Sequence, residues 1–266
     1  MLDAKTRELK KAIAGVESAV VAFSGGVDSA TLAYLAHDTL GDNAVAVTVK
    51  NRSYPIRELD LAKKLAEEIG IRHIVVDFDE LLIPSISSNT AQRCYHCKKE
   101  ILGLLKSVMG ELGFKKVLEG SNASDANSYR PGGQALLEAK DYVYSPFKDL
   151  GVSKDEVRQI ARDAGISAAD KPSSPCLASR FPYNDPLTAE ALKRVEIAED
   201  YLIELGFLEL RVRDHKGLAR IEIPPADFQR FLDLKGDISS YFRKIGFEYV
   251  TLDIQGLRSG SMDEVL

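Results

Sequence analysis

The first half of the chain alternates short apolar runs with amphipathic helical patterns, and this alternation restricts the fold more than any other feature. Apolar runs typical of buried strands cover residues 18–23, 44–49, 72–78 and 116–119. Helical patterns lie between them at 27–40, 56–69 and 97–112. This order predicts an α/β fold with a parallel, doubly wound sheet. Such sheets bind ligands beyond the carboxyl ends of their strands, so the loops at 24–26, 50–55 and 120–125 are expected around one crevice.

The pattern changes after a segment rich in Pro, Ser and Asp at residues 170–186, which predicts a loop or linker. We place the domain boundary at its end, which gives domains 1–186 and 187–266. In the second domain a helix from the N-cap Thr188 to residue 205 is followed by strands at 208–213 and 219–223, a helical stretch at 226–245 and a strand at 249–254. That order predicts a second, smaller α+β domain for substrate binding or oligomerisation.

Composition limits the class of partner. The chain has 266 residues, 45% hydrophobic and 28% charged, and no apolar stretch approaches the roughly 18 residues of a membrane span. Its start is charged, so we expect a cytoplasmic protein without a membrane partner. The net charge is −5, and residues 187–266 carry 11 Lys and Arg against 15 Asp and Glu, which argues against nucleic acid as a partner. Three cysteines, an odd number, favour metal or redox chemistry over disulfides.

The sequence SGGVDS at residues 24–29 lies between a predicted strand and a predicted helix, where backbone N–H groups and the helix dipole hold phosphate. The two glycines let the main chain approach an anion, and the two serines can donate to it. A simple turn with a serine N-cap is the alternative. The segment lacks the ending of a Walker loop and resembles the PP-loop of the ATP-pyrophosphatases. Its candidate ATP-binding residues are Ser24, Gly25, Gly26, Asp28 and Ser29, with Asp28 a magnesium ligand by that resemblance.

A second loop, EGSNASD at residues 119–125, also follows a predicted strand. It is similar to the loop that faces the phosphates in the same superfamily. The resemblance implies that Gly120 contacts the nucleotide and that Asp125 is a second ligand of Mg²⁺. A polar turn is the alternative.

The cysteines lie in two segments, RCYHCK with Cys94 and Cys97 and PSSPC with Cys176. Here the chain resembles the LarE family, sulfur transferases that build the pyridinium bisthiocarboxylate nucleotide of the nickel-pincer cofactor of lactate racemase. The resemblance runs nearly end to end. It includes SGGVDS, the turn NSYRPG at 127–132, DKPSSPCLASRFPY at 170–183, LRVRDHKGLARIEI at 210–223 and YVTLDIQGLRSGS at 249–261.

The resemblance implies an enzyme in which ATP adenylates a carboxylate of pyridinium-3,5-biscarboxylic acid mononucleotide and sulfur then replaces AMP. The implied catalytic residues are Cys176, Arg180 and Asp28. In the simplest members this cysteine gives up its own sulfur and becomes dehydroalanine. Cys94 and Cys97 depart from that form, and with Cys176 they could hold a 4Fe-4S cluster that accepts sulfide from a donor. A zinc site with His96 or water, a redox pair that regenerates Cys176, and ordinary packing remain as alternatives.

Arginine side chains suit a substrate that carries phosphate and carboxylates. Arg211 and Arg213 alternate on a predicted strand and share one face. The substrate-binding residues in line with the family pattern are Arg180, Glu199, Arg211 and Arg213, with Arg130, Arg220 and Arg258 as weaker candidates. The family also implies a homo-oligomer. The rival functions are a tRNA-thiolating enzyme, an amide-forming synthetase of the NAD or GMP type, and a non-enzymatic adenine-nucleotide sensor.

Overall fold

The computed structural model describes residues 2–127, 132–172, 174–258, 260–262 and 264. The chain forms two compact units, one of Met1–Phe78 with Cys94–Ser174 and one of Asp79–Arg93 with Pro175–Leu266. Residues 79–93 and 175–186 fall in the second compact unit, so the units do not follow the predicted division at residue 186. That domain boundary stays a prediction. None of the helices in the described ranges has the length and apolar content to cross a membrane.

The first unit contains a five-stranded parallel sheet in the order β3-β2-β1-β4-β5, which confirms the predicted fold class. The strands pair in register, with Ala22 beside Val47 and Lys50 beside Asp77, so their carboxyl ends lie along one edge. The strands are β1 (Ala19–Ala22), β2 (Ala44–Lys50), β3 (Arg72–Asp77), β4 (Lys116–Leu118) and β5 (Val143–Tyr144). The helices from the start of the chain to residue 163 are α1 (Leu2–Ala14), α2 (Val27–Leu40), α3 (Ile56–Ile69), α4 (Pro84–Ser87), α5 (Arg93–Glu111), α6 (Gly132–Glu138), α7 (Pro146–Asp149) and α8 (Lys154–Asp163). Of these, α4 belongs to the second unit.

Helices cover both faces of this sheet because its central strands are apolar on both sides. Along β1, Ala19 and Val21 belong to the core layer that includes α1, α2 and α8. Val20, between them, belongs to the layer that includes α5 and α6. The continuous apolar run therefore fixes β1 in the middle of the sheet, and the loop that follows it at the centre of the carboxyl edge.

The second unit contains a three-stranded sheet in the order β6-β7-β8, covered by helices over a second apolar core. Its strands are β6 (Arg211–His215), β7 (Leu218–Glu222) and β8 (Tyr249–Leu252), and its helices after residue 188 are α9 (Ala189–Glu204), α10 (Phe228–Asp233) and α11 (Lys235–Lys244). As predicted, Thr188 caps α9, and its hydroxyl accepts a hydrogen bond from the Ala191 N–H at 3.1 Å.

Three predicted elements differ from the structure by more than two residues at one end or are interrupted. The strand predicted at 208–213 is Arg211–His215, because Leu208 is exposed and the hairpin turn at Lys216 and Gly217, both with positive φ, sets the pairing. The helical stretch predicted at 226–245 is divided into a short 3₁₀ turn, α10 and α11, with the break at Leu234. The helix with the paired cysteines begins at Arg93 rather than at residue 97.

Candidate functional site

The phosphate loop, residues 24–26, leaves β1 and enters α2 at the carboxyl edge of the sheet. Gly26 is the N-cap residue of α2 and has extended backbone angles and no capping side chain. The first N–H groups of α2 are therefore not covered by a cap from that residue, and they carry the positive end of the helix dipole. This is the local structure that SGGVDS predicted, and it suits a phosphate group.

Side chains within the motif fix the shape of the loop. The Ser29 hydroxyl accepts from the Ser24 N–H at 3.1 Å and donates to the Gly26 carbonyl at 3.0 Å. Ser29 is buried, so it shapes the loop from within. Gly25 has φ +67°, and a Cβ there would lie 3.1 Å from the Cβ of Ala62 in α3. Only glycine satisfies both the positive φ and this close approach.

The second predicted loop packs directly on the first. A Cβ at Gly120 would lie 3.3 Å from the backbone and Cβ of Asp28, so the absence of a side chain lets the two loops touch. The Asn122 amide donates to Asp28 Oδ1 at 3.1 Å, and the Asn122 N–H donates to Asp125 Oδ2 at 3.0 Å. The structure therefore brings together the two predicted magnesium ligands, Asp28 and Asp125, on either side of a buried asparagine.

Asp28 also has a cationic partner that the sequence did not indicate. Lys154, the first residue of α8, donates from Nζ to Asp28 Oδ2 at 2.5 Å. Carboxylate oxygens are ligands that Mg²⁺ prefers, and Mg²⁺ commonly joins one or two of them to substrate phosphates. Asp28 and Asp125 fit such an ion by chemistry, and Lys154 would compete with it for Asp28.

A partly buried ion pair adjoins the second loop. Lys98 Nζ lies 2.8 Å from Glu119 Oε1, and the Ser121 N–H donates to Glu119 Oε2 at 2.8 Å. Burial alone raises the pKa of the Glu119 carboxyl, but the Lys98 charge and the hydrogen bonds from Lys98 and Ser121 outweigh it and lower the pKa to about 2. Glu119 is therefore ionised at neutral pH, and it holds the backbone of the second loop.

The three cysteines are thiols, and they divide between the two units. Cys94 and Cys97 lie in the first five residues of α5, half-buried, in the first unit. Cys176 is exposed and precedes a 3₁₀ turn, Leu177–Arg180, in the second unit. Across the part of the chain that the structure describes, no group of three or more His, Cys, Asp and Glu side chains is arranged to hold a metal ion. The cluster therefore stays a prediction.

Arg180 and Glu199 form a buried pair in the second unit. Arg180 Nε and Nη2 donate to the two Glu199 carboxylate oxygens at 2.8 and 3.0 Å, and the side chains are 1% and 2% exposed. Arg180 Nη1 donates to the carbonyls of Pro175 and Cys176 at 3.0 and 3.3 Å. Glu199 Oε1 also accepts from the Val212 N–H at 3.1 Å. These contacts hold the Cys176 loop against the core, while the predicted substrate contacts of Arg180 and Glu199 stay predictions.

Arg211 and Arg213 lie on one face of β6, as predicted. Arg213 is buried and donates to Ser179 O at 2.9 Å and to Glu222 Oε2 at 2.7 Å. Arg211 is half-buried, and burial together with the charges of Arg180 and Arg213 lowers its pKa to about 10. An anion beside Arg211 would relieve this repulsion, so the face suits a phosphate or a carboxylate.

The weaker arginine candidates have different surroundings. Arg220 Nη2 lies 3.1 Å from Glu222 and its Nη1 lies 3.3 Å from Asp253. Arg258 lies 3.2 Å from Glu264, and hydrogen bonding to that carboxylate raises the pKa of Arg258. Residues 128–131 of the turn NSYRPG, and Arg130 with them, lie outside the described residues.

Comparison with known proteins gives a consistent result. A family model described as NAD synthase matches residues 3–102. The chain is 43% identical to an uncharacterized protein of Synechocystis sp., over all of this chain and 99% of that protein. It is 37% identical to the pyridinium-3,5-bisthiocarboxylic acid mononucleotide synthase of Lactiplantibacillus plantarum, over all of this chain and 96% of that enzyme. It is 30% identical to a tRNA-specific 2-thiouridylase, MnmA, of Rickettsia massiliae, over 58% of this chain and 52% of that enzyme.

Proposed function

The chain belongs to the LarE family of ATP-dependent sulfur transferases, and on that premise we propose that it converts a carboxylate of pyridinium-3,5-biscarboxylic acid mononucleotide into a thiocarboxylate. The observation that carries this proposal is the 37% identity, over the full length of this chain, to a pyridinium-3,5-bisthiocarboxylic acid mononucleotide synthase. The similarity to the tRNA thiolase covers only 58% of this chain, so it supports the shared ATP chemistry more than a shared acceptor.

The first step is carboxylate activation at the phosphate loop. A carboxylate oxygen of the substrate attacks the α-phosphorus of ATP, and pyrophosphate leaves. In support, the loop presents the N-terminus of α2 to a phosphate, and the Ser24–Ser29 network fixes its shape. Mg²⁺ bound by Asp28 and Asp125 would neutralise phosphate charge. Asn122 and Gly120 hold these carboxylates beside the loop.

The second step is the transfer of sulfur to the activated carbonyl. A sulfur nucleophile adds to the acyl-adenylate carbon, and AMP leaves with the electron pair of the broken C–O bond. We assign this role to Cys176, and the support is that its thiol is exposed while Arg180 holds its backbone carbonyl. If Cys176 itself is the donor, its Sγ forms a thioester. Loss of the Cα proton and cleavage of the Cβ–Sγ bond then leave the thiocarboxylate and dehydroalanine.

We assign Cys94, Cys97 and Cys176 as the ligands of a 4Fe-4S cluster. The support is the C-x-x-C spacing at the start of α5 and the exposure of Cys176. Such a cluster would supply an iron that binds exogenous sulfide, which would spare the cysteines. The protein would then turn over repeatedly.

The anionic groups of the substrate are assigned to the β6 face, where Arg211 and Arg213 lie side by side. Guanidinium groups bind phosphate and carboxylate through paired hydrogen bonds. We also infer a cytoplasmic homo-oligomer without a nucleic-acid partner, as the family resemblance and the excess of acidic residues in 187–266 suggest.

The test is an assay of protein purified without oxygen, with ATP, Mg²⁺ and the pyridinium mononucleotide. Pyrophosphate release and a mass gain on the substrate for O-to-S exchange support the function. Unmodified substrate, together with thiolated tRNA in a parallel reaction, overturns it in favour of a tRNA acceptor. Iron and acid-labile sulfide content, compared with Cys94→Ala, tests the cluster. Iron-free protein that loses one sulfur from Cys176 during the reaction identifies Cys176 as the donor.

A further inference from the structure

Two side chains outside the SGGVDS motif bind the carbonyl oxygens of the phosphate loop. Tyr54, in the loop after β2, donates from its hydroxyl to Ser24 O at 2.9 Å. Lys171 donates from Nζ to Gly25 O at 3.2 Å. Both residues belong to the first unit. The two carbonyls are consecutive, so the contacts act on adjacent peptide groups of the loop.

These contacts fix the direction of two N–H groups. A trans peptide group is planar, and its C=O and N–H point in opposite directions. The described peptide bonds are all trans. Holding Ser24 O toward Tyr54 therefore turns the Gly25 N–H away from Tyr54. Holding Gly25 O toward Lys171 likewise turns the Gly26 N–H away from Lys171. Glycine has little intrinsic preference among backbone conformations, so such external contacts are what select one.

The lysine is itself held in place. Its Nζ lies 2.5 Å from Glu58 Oε2, and the two side chains are 16% and 11% exposed. Glu58 is in the first turn of α3, and Ala62, one turn later, packs against Gly25. Because Glu58 balances the charge of Lys171, the main effect of Lys171 on a phosphate is through the orientation of the loop. Burial and the nearby Glu58 raise the pKa of Tyr54, so its hydroxyl keeps its proton at neutral pH.

We propose that Tyr54 and Lys171 are positioning residues that set the Gly25 and Gly26 N–H groups toward the phosphates of ATP. This inference rests on the proposed function, because it takes ATP to bind at the loop. Neither residue needs to touch the nucleotide. Their loss should weaken the binding of phosphate groups and leave the binding of the nucleoside unchanged.

The test is calorimetric titration of the full chain with ATP and Mg²⁺, and separately with adenosine. Tyr54→Phe removes one hydroxyl that donates a hydrogen bond, so we expect the ATP dissociation constant to rise roughly fivefold. Lys171→Met combined with Glu58→Gln removes the Gly25 contact without leaving a buried charge, and should give a rise of the same order. Lys5→Met is the matched control. It also removes an ion pair, in which Lys5 Nζ lies 2.6 Å from Glu156 Oε1, and that pair includes no residue of the phosphate loop.

The outcomes separate the two proposals. If the unmodified chain does not bind ATP, the proposed function fails. If it binds ATP, and Tyr54→Phe binds ATP as tightly as the unmodified chain and Lys5→Met do, the positioning role is wrong. Equal losses of ATP and adenosine affinity indicate a general structural role, which also overturns it. If the double variant does not fold, Tyr54→Phe alone decides.

Discussion

Removing Arg180 should cost the second unit far more stability than removing an exposed lysine. Arg180→Met leaves the Glu199 carboxylate 2% exposed, with its two hydrogen bonds from Arg180 lost and the one from the Val212 N–H retained. It also releases the carbonyls of Pro175 and Cys176. Removing one partner of a buried ion pair typically costs about 3–5 kcal/mol, and we expect a loss of unfolding free energy in that range.

The measurement is urea unfolding followed by far-UV circular dichroism, because the chain has no tryptophan. Lys216→Gln is the control, since Lys216 pairs with Asp185 at 3.2 Å but is 79% exposed, and its loss should cost less than about 1 kcal/mol. The double variant Arg180→Met/Glu199→Leu should recover most of the lost stability, because apolar replacement of a buried pair is often neutral. An Arg180→Met variant as stable as Lys216→Gln would refute the buried pair and favour direct substrate binding by Arg180.

Three further outcomes follow from the first unit. Lys154→Met should lower the Mg²⁺ concentration that gives half-maximal pyrophosphate release, because it removes the ammonium that competes for Asp28; an unchanged value contradicts this. Glu119 has a pKa of about 2 when folded, below its unfolded value of roughly 4.3, so it adds stability that is present above about pH 4.5 and lost as the pH falls toward 2. Glu119→Gln should therefore flatten the pH dependence of urea unfolding in that window, and an unchanged slope would argue against the assignment. Gly25→Ala and Gly113→Ala impose the same positive φ, +67° and +68°, which costs about 1 kcal/mol at each position. Gly25→Ala should cost more than Gly113→Ala, because its Cβ would also lie 3.1 Å from the Ala62 Cβ while nothing lies within 4 Å at Gly113, and only Gly25→Ala should weaken ATP binding in titrations.

The fold and the phosphate loop could be predicted because their signals are local. A continuous apolar run such as β1 can be buried only between two helical layers, and two glycines directly after it indicate a tight approach of the backbone. The strand-to-helix junction at residues 24–29 follows from that order. The bounds of β6 were harder, because its last two residues, Asp214 and His215, are polar, and the register is set by the hairpin turn rather than by an apolar pattern.

The partners of the site residues could not be predicted because they come from distant parts of the sequence. Lys154 reaches Asp28 from the start of α8, and nothing near Lys154 in the sequence distinguishes it from a surface lysine. Asn122 was part of a predicted polar loop, but its contact with Asp28 depends on how Gly120 packs. For Arg180, the sequence shows a cation near a cysteine and cannot show that Glu199, on α9, neutralises it in the core. The partner that a side chain meets depends on the tertiary structure, which the local sequence does not show.

The anchoring of the Cys176 loop bears on how any loss of activity at that residue is understood. The atoms that are held belong to the backbone, since Cys176 O accepts from Arg180 Nη1 at 3.3 Å and from the Ser179 hydroxyl at 2.9 Å. The exposed Sγ is not one of these anchors, so Cys176→Ala should keep the loop and the stability of the second unit. Its urea midpoint should match that of the unmodified chain, and amide exchange in residues 174–182 should be unchanged. If sulfur transfer is lost while both quantities hold, the thiol takes part in the chemistry; a large shift in either would mean that Cys176 supports the fold.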